Sequence, residues 1–163
     1  MTSMTETGVA TQVYQLYIGA TREAIWDALT TSTETYGYRA KSDYELRPGG
    51  AFRVHATEDM RAMGAPEVII DGEVVEADAP RRLVQTWHAH FDPQTDAEGA
   101  TRLSFELEPG EGGVTKLTLT HELEGAPTVA TLVSGAMANT GGGWPFVVSD
   151  LKTLLETGKP LAG

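Results

Sequence analysis

Cysteine is absent from this chain of 163 residues. Its absence excludes disulfide bonds, thiolate zinc sites, iron–sulfur clusters and a cysteine nucleophile. Basic residues are scarce as well, because 12 Lys and Arg stand against 23 Asp and Glu and leave a net charge of −11. A chain of this charge repels phosphate groups, so we expect neither nucleic acid nor a membrane surface as a partner.

Long hydrophobic runs are also missing. No apolar stretch approaches the roughly 18 residues that a membrane-spanning helix needs. The first residues, MTSMTETGVATQ, have neither the basic nor the apolar region of a signal peptide. We therefore expect a cytoplasmic protein.

Composition and length indicate one globular domain, since 40% of the residues are hydrophobic and the chain is of ordinary single-domain size. The small, polar, Thr-rich residues 1–11 are expected to form a flexible N-terminal tail. We expect residues 12–158 to form the single domain and residues 159–163 a C-terminal tail.

The order of patterns along the chain predicts an α+β protein. Residues 12–18 are rich in β-branched and aromatic side chains and predict a strand. Thr21 is placed to cap a short helix, and a second short helix or a series of turns follows it. Alternating side chains and short turns between residues 44 and 123 predict about six further strands in a mainly antiparallel sheet. Residues 58–66 and 92–99 are interpreted as loops.

Helical periodicity returns near the C-terminus. Residues 127–138 predict a helix, and the glycines at 141–143 predict a flexible hinge rather than a phosphate-binding loop. A longer amphipathic helix follows and ends at Gly158. Its expected buried residues are Trp144, Val148, Leu151 and Leu155. Asp150 and Lys152 are expected to be exposed, and the helix is the natural cover for the apolar face of the sheet.

Five segments together carry a family resemblance. They are TREAIWDALT at residues 21–30, RPGGAF at 47–52, GEVVEADAPRRLVQTW at 72–87, LTLTH at 117–121 and GW at 143–144. In this order the chain resembles the START-like (SRPBCC) superfamily, whose helix-grip fold is that of the birch-pollen allergens. Within it, the chain is most similar to the branch named after the C-terminal domain of the activator of heat-shock protein 90 ATPase.

The resemblance implies a seven-stranded, curved antiparallel sheet wrapped around a long C-terminal helix, with two short helices after the first strand. It does not specify an activity, because this superfamily includes lipid carriers, polyketide cyclases and cochaperone domains. It also implies a cavity between the sheet and the helix. The candidate lining residues are Phe52, Val54, Ile70, Trp87, Phe105, Leu119, His121, Trp144 and Val148.

The expected function is reversible binding of a small hydrophobic or aromatic molecule in this cavity, driven by burial of apolar surface. A polyketide cyclase or dehydratase in the same cavity is one alternative, and a cochaperone-like interaction module is another. No set of residues predicts nucleophilic catalysis, so no catalytic residue is assigned. His121 shares the face of Leu117 and Leu119. It is either a polar anchor for a ligand or a core histidine bonded to a backbone carbonyl or a tyrosine hydroxyl.

His88 and His90 lie on one face of a predicted strand, a spacing that can hold a metal, and Asp92 and Asp96 could add oxygen ligands. Their outward position instead favours a solvated sheet face. We therefore expect no tightly bound metal and no cofactor. A homodimer is expected, because the predicted sheet leaves open edges and most soluble oligomers are two-fold dimers.

Overall fold

One antiparallel sheet organises the chain. A computed structural model describes residues 10–138 and 140–161. The N-terminal tail predicted for residues 1–11 therefore lies largely outside the described residues. The strands are β1 (Thr11–Ile18), β2 (Ser42–Tyr44), β3 (Ala51–His55), β4 (Val68–Asp78), β5 (Arg82–Ala89), β6 (Thr101–Pro109) and β7 (Thr115–Glu122). They form a seven-stranded sheet in the order β1-β7-β6-β5-β4-β3-β2. The first strand thus pairs with the last, and the predicted curved α+β architecture is confirmed.

The helices lie between the strands and after them. They are α1 (Arg22–Thr31), α2 (Glu58–Ala62), α3 (Pro93–Ala97), α4 (Pro127–Val133) and α5 (Gly143–Thr157), with a short 3-10 turn at Thr33–Thr35. Thr21 caps α1 as predicted, because its hydroxyl accepts from the backbone N–H of Ala24 at 3.1 Å. Within the described part of the chain, no helix has the length and apolar character needed to cross a bilayer.

The two segments interpreted as loops each contain a short helix. Thr57 caps α2 and Asp92 caps α3, each through a side-chain oxygen that accepts a backbone N–H of the first turn. Helices of five residues are too short to produce a periodic pattern, so only the capping residues could have indicated them. The helix predicted over 127–138 is also shorter and ends at Val133.

Helix α5 covers the sheet, and its residues Val148 and Leu151 are buried as predicted. Trp144 and Leu155, expected to be buried, are only partly buried. Lys152 is 41% exposed and donates from Nζ to the backbone oxygen of Tyr17. The amphipathic pattern therefore identified the packed face of the helix correctly, although not its ends.

Asp150 corrects the predicted pattern, because it is completely buried. Its carboxylate accepts from the backbone N–H of Gly37 at 2.8 Å and from that of Leu161 at 2.5 Å. These bonds compensate for the loss of water around the charge. They also connect the middle of α5 to the segment after α1 and to the predicted C-terminal tail.

Candidate functional site

The residues expected to line a cavity all lie in or against one hydrophobic core. Eight of them are buried: Phe52, Val54, Ile70, Trp87, Phe105, Leu119, His121 and Val148. Trp144 packs against the same core and is partly exposed at the start of α5. Those that lie on strands are on the buried face of the sheet, as the alternation along the strands predicts.

His121 is the polar centre of this region. Its Nε2 lies 2.8 Å from the hydroxyl of Thr101, and that hydroxyl donates to the backbone oxygen of Trp87 at 2.7 Å. The hydroxyl must therefore accept from His121, which places the ring hydrogen on Nε2. Nδ1 in turn accepts from the indole Nε1–H of Trp144 at 3.0 Å. The neutral imidazole therefore satisfies both of its hydrogen-bond partners, Thr101 and Trp144.

Protonation of His121 would disrupt this arrangement of hydrogen bonds. The proton would go to Nδ1, where the indole N–H of Trp144 already points. Burial also lowers the pKa of His121 to about 3, because the charged ring would lose its hydration. The imidazole is therefore neutral at physiological pH.

Aromatic rings surround the His121–Trp144 pair. The ring centres of Trp87 and His121 are 5.0 Å apart, and those of His121 and Trp144 are 5.9 Å apart. Phe105 meets Trp144 edge-on at 6.5 Å. Edge-to-face contacts of this kind add stability beyond simple burial. We call Trp87, Phe105, His121 and Trp144 the aromatic cluster.

Three further candidates, Phe52, Val54 and Ile70, contact residues outside the aromatic cluster. The ring of Phe52 lies 4.7 Å from that of Tyr44, and Val54 pairs with Ile70 across β3 and β4. Tyr44 donates its hydroxyl to Gln85 Oε1 at 2.6 Å. Burial raises the pKa of the Tyr44 phenol above its ordinary value, so this donor keeps its hydrogen.

Sequence reasoning missed Gln85 and Thr101. Gln85 is completely buried and Thr101 is nearly so. Gln85 stands two residues before Trp87, and Thr101 stands two residues before Leu103, so both follow the same alternation as the candidate residues. Strand parity could have found them, but polar side chains are normally assigned to the outer face.

Two clefts among the described residues lie outside the aromatic cluster. One, of about 260 Å³, is lined by Arg22, Arg81 and Arg82 together with the end of β6. The other, of about 640 Å³, is lined partly by Asp71 and His90. In the aromatic cluster itself, the rings contact one another at centroid distances of 5.0 to 6.5 Å.

His90 lines the second cleft, and His88 is its neighbour on the same face of the strand. His88 and His90 share one face as predicted, and their ring centres are 4.1 Å apart. Burial lowers the pKa of His90, but hydrogen bonds to Asp71 and Asp96 outweigh it, so the pKa lies above its ordinary value. Of the two predicted oxygen ligands, Asp96 contacts both rings, whereas Asp92 caps α3.

Acidification is expected to destabilise the protein through His121. Its pKa is about 3 in the folded chain and about 6.5 in an unfolded one. The unfolded state therefore binds the proton first. The contribution of neutral His121 to the free energy of unfolding is fully present above about pH 6.5. It is lost as the pH falls towards the pKa of the folded state. Between pH 7.5 and pH 5, urea denaturation should record a loss of about 2 kcal/mol from this residue.

The control for this experiment is His121→Phe, which keeps a ring but has no titrating nitrogen. The other histidines are present in both proteins, so their contributions cancel in the difference. The variant should lose less stability than the wild-type protein over the same pH range. An identical pH dependence of the two proteins would contradict the assignment.

The structure defines the class of this protein as a helix-grip α+β fold, with a curved antiparallel sheet against a long C-terminal helix. Residues 19–156 match the family described as "Activator of Hsp90 ATPase homolog 1-like protein". The chain belongs to this family, and thus to the START-like superfamily that its motifs resemble.

Solved structures share the fold over nearly the whole chain. Protein MLL2253 from Mesorhizobium loti is 26% identical, with a TM-score of 0.65 over 90% of this chain and 96% of that one. The Aha1 dimer from Colwellia psychrerythraea is 18% identical, with a TM-score of 0.60 over 91% and 98%. An HSP90 activator from Plasmodium falciparum is 21% identical, with a TM-score of 0.53 over 94% and 91%. No curated protein sequence matches the chain.

Proposed function

We propose that this protein reversibly binds a small, neutral, aromatic molecule between the sheet and the start of α5, in the place that the Trp144 side chain occupies. The observation that carries the proposal is the bond from the Trp144 indole N–H to Nδ1 of His121, within the aromatic cluster. The indole has the shape and chemistry of such a ligand and occupies the site in its absence.

The polarity of the site defines the class of ligand. Nδ1 of His121 is an acceptor, so a molecule that replaces Trp144 must provide a hydroxyl or N–H donor. The buried, neutral imidazole offers no positive charge to an anion. Trp87 and Phe105 provide ring faces and edges for an aromatic body. A phenol-like or indole-like molecule meets all three conditions.

The position of Trp144 supports its displacement. It is only partly buried, and it follows glycines 141–143, all of which have positive φ angles. A side chain on Gly143 would overlap the backbone oxygen of Val133, so this tight connection requires glycine. The hinge predicted from these glycines would allow the start of α5 to move while Leu151 keeps the helix on the sheet.

Binding is favoured over the enzymatic alternative by the partners of His121. Its described hydrogen bonds are to Thr101 and Trp144, and neither partner is an acid that could form a general acid–base pair with it.

The homodimer expected from the sequence stays a prediction. Val13 and Tyr17, both exposed on the edge strand β1, support it.

The first test compares 2-naphthol with naphthalene, which differ only in one hydroxyl group. We expect the wild-type protein to bind 2-naphthol about tenfold more tightly, equivalent to about 1.4 kcal/mol. The preference should disappear in His121→Phe, because that variant removes the acceptor and keeps the ring. Fluorescence titration provides both affinities, and mass spectrometry of ligands extracted from the native protein would identify the natural class.

His55→Phe is the matched control, since it makes the same change at an outer position that contacts Asp43. It should keep the preference for 2-naphthol. Failure of the folded wild-type protein to bind either probe would contradict the proposal and favour the cochaperone-like alternative. Equal preferences in the wild-type protein and His121→Phe would remove His121 from the site.

A further inference from the structure

A second group of polar side chains lies on the outer face of the sheet. It occupies the cleft of about 640 Å³ where β4 begins and β5 ends, beside α3. The nine residues that line the cleft include Asp71, His90 and Asp96 but no Lys or Arg. In a chain with a net charge of −11, such a cleft favours a cation.

Strand register brings possible ligand atoms together. Asp71 on β4 pairs directly with His88 on β5, and His90 follows on the same face. Ligand atoms of Asp71, His88 and His90 all lie within 4.8 Å of one another. Two imidazole nitrogens and a carboxylate oxygen are ligand types that suit zinc and similar borderline cations.

Helix α3 adds a second carboxylate. Its cap, Asp92, accepts from the backbone N–H of Thr95 at 2.8 Å and so fixes the first turn. Asp96 lies in that turn. Its Oδ1 is 2.7 Å from Nδ1 of His90 and 3.2 Å from Nε2 of His88. The carboxylate of α3 therefore contacts both histidines.

The orientation of His88 also suits metal binding. Its Nε2 lies 2.8 Å from the backbone oxygen of Asp96. Because a carbonyl only accepts, Nε2 carries the hydrogen and Nδ1 keeps its lone pair. Metal-binding histidines commonly donate their second nitrogen to a carbonyl or carboxylate in this way, which holds the ring in the required tautomer.

We propose that Asp71, His88 and His90 form a site for one divalent ion of the zinc class, and that Asp96 orients the two histidine rings. Their side chains are 25% to 56% exposed, so the ion exchanges with solvent. Such a site agrees with the expectation that no metal is tightly bound. It is separate from the aromatic cluster and does not depend on the proposed ligand.

Calorimetric titration of zinc chloride into the untagged, chelator-treated chain tests this proposal. We expect one zinc ion per chain. His88→Ala and Asp71→Asn should each weaken binding about tenfold or more, because each removes one ligand. His55→Ala is the matched control. His55 and Asp43 form a His–Asp pair with 2.6 Å between Nε2 and Oδ2 outside the cluster, so this variant should bind zinc normally.

Cobalt distinguishes a built site from loose binding to surface carboxylates. A saturable visible absorption band of tetrahedral Co²⁺ is expected in the wild-type protein and should disappear in His88→Ala. Circular dichroism establishes that each variant is folded, and Asp71→Asn replaces His88→Ala if the latter does not fold. The absence of saturable zinc binding, or equal affinities in the wild-type protein and both cluster variants, would overturn the proposal.

Discussion

Replacing Leu151 by alanine is expected to lower the free energy of unfolding by about 2–5 kcal/mol. Leu151 is only 1% exposed and belongs to the core between α5 and the sheet. Truncation removes apolar contacts and leaves a cavity that a rigid sheet and helix cannot fill. Urea denaturation at pH 7.5 measures the change.

Leu155→Ala provides the matched comparison on the same helix. Leu155 is only partly buried, so the same truncation should cost less than it does at Leu151. If both variants unfold at the wild-type urea concentration, α5 does not cover the sheet and the helix-grip packing is wrong for this chain.

The second large effect is expected at Asp150. Replacing it by alanine should cost about 2–4 kcal/mol, because the backbone N–H groups of Gly37 and Leu161 lose their acceptor in a partly buried setting. Asp150→Asn keeps one carbonyl acceptor and should cost less. Hydrogen exchange at the Gly37 amide should become faster in Asp150→Ala, because that amide is released.

Ser149→Ala is the control for Asp150, since Ser149 is exposed on the same helix. A change within about 0.5 kcal/mol of the wild-type protein is expected there, as for most surface substitutions. A similarly small change for Asp150→Ala, with unchanged exchange at Gly37, would mean that the buried carboxylate does not connect α5 to the segment after α1.

The aromatic cluster was only partly predictable. Trp87, Phe105 and His121 follow from strand alternation, because each shares the parity of an apolar neighbour. The bond between His121 and Trp144 does not follow, since it joins residues 23 positions apart on different elements. The two sequence-based interpretations of His121 named other partners, and the structure supplies Thr101 and Trp144 instead.

The outer histidine cluster has the same limitation. The spacing of His88 and His90 places both rings on one face, which the sequence indicates directly. No local pattern in the sequence links Asp71 to these histidines, and only the pairing of β4 with β5 brings it opposite His88. Asp96 joins them because α3, a helix too short for a periodic signal, begins at a capping aspartate.

The sequence by itself determined the order of the strands and the longer helices, the apolar face of most strands and the packed face of α5. These features depend on the spacing of hydrophobic residues, and this spacing is visible in short stretches of the sequence. Only the tertiary structure decided which polar side chains are buried and what each one binds. Asp150 is the clearest case. Its place on α5 reads as solvent-facing, yet a backbone N–H 113 residues away binds its carboxylate. A polar group can be buried only where such a partner satisfies its hydrogen bonds, and a partner distant in the sequence leaves no local pattern.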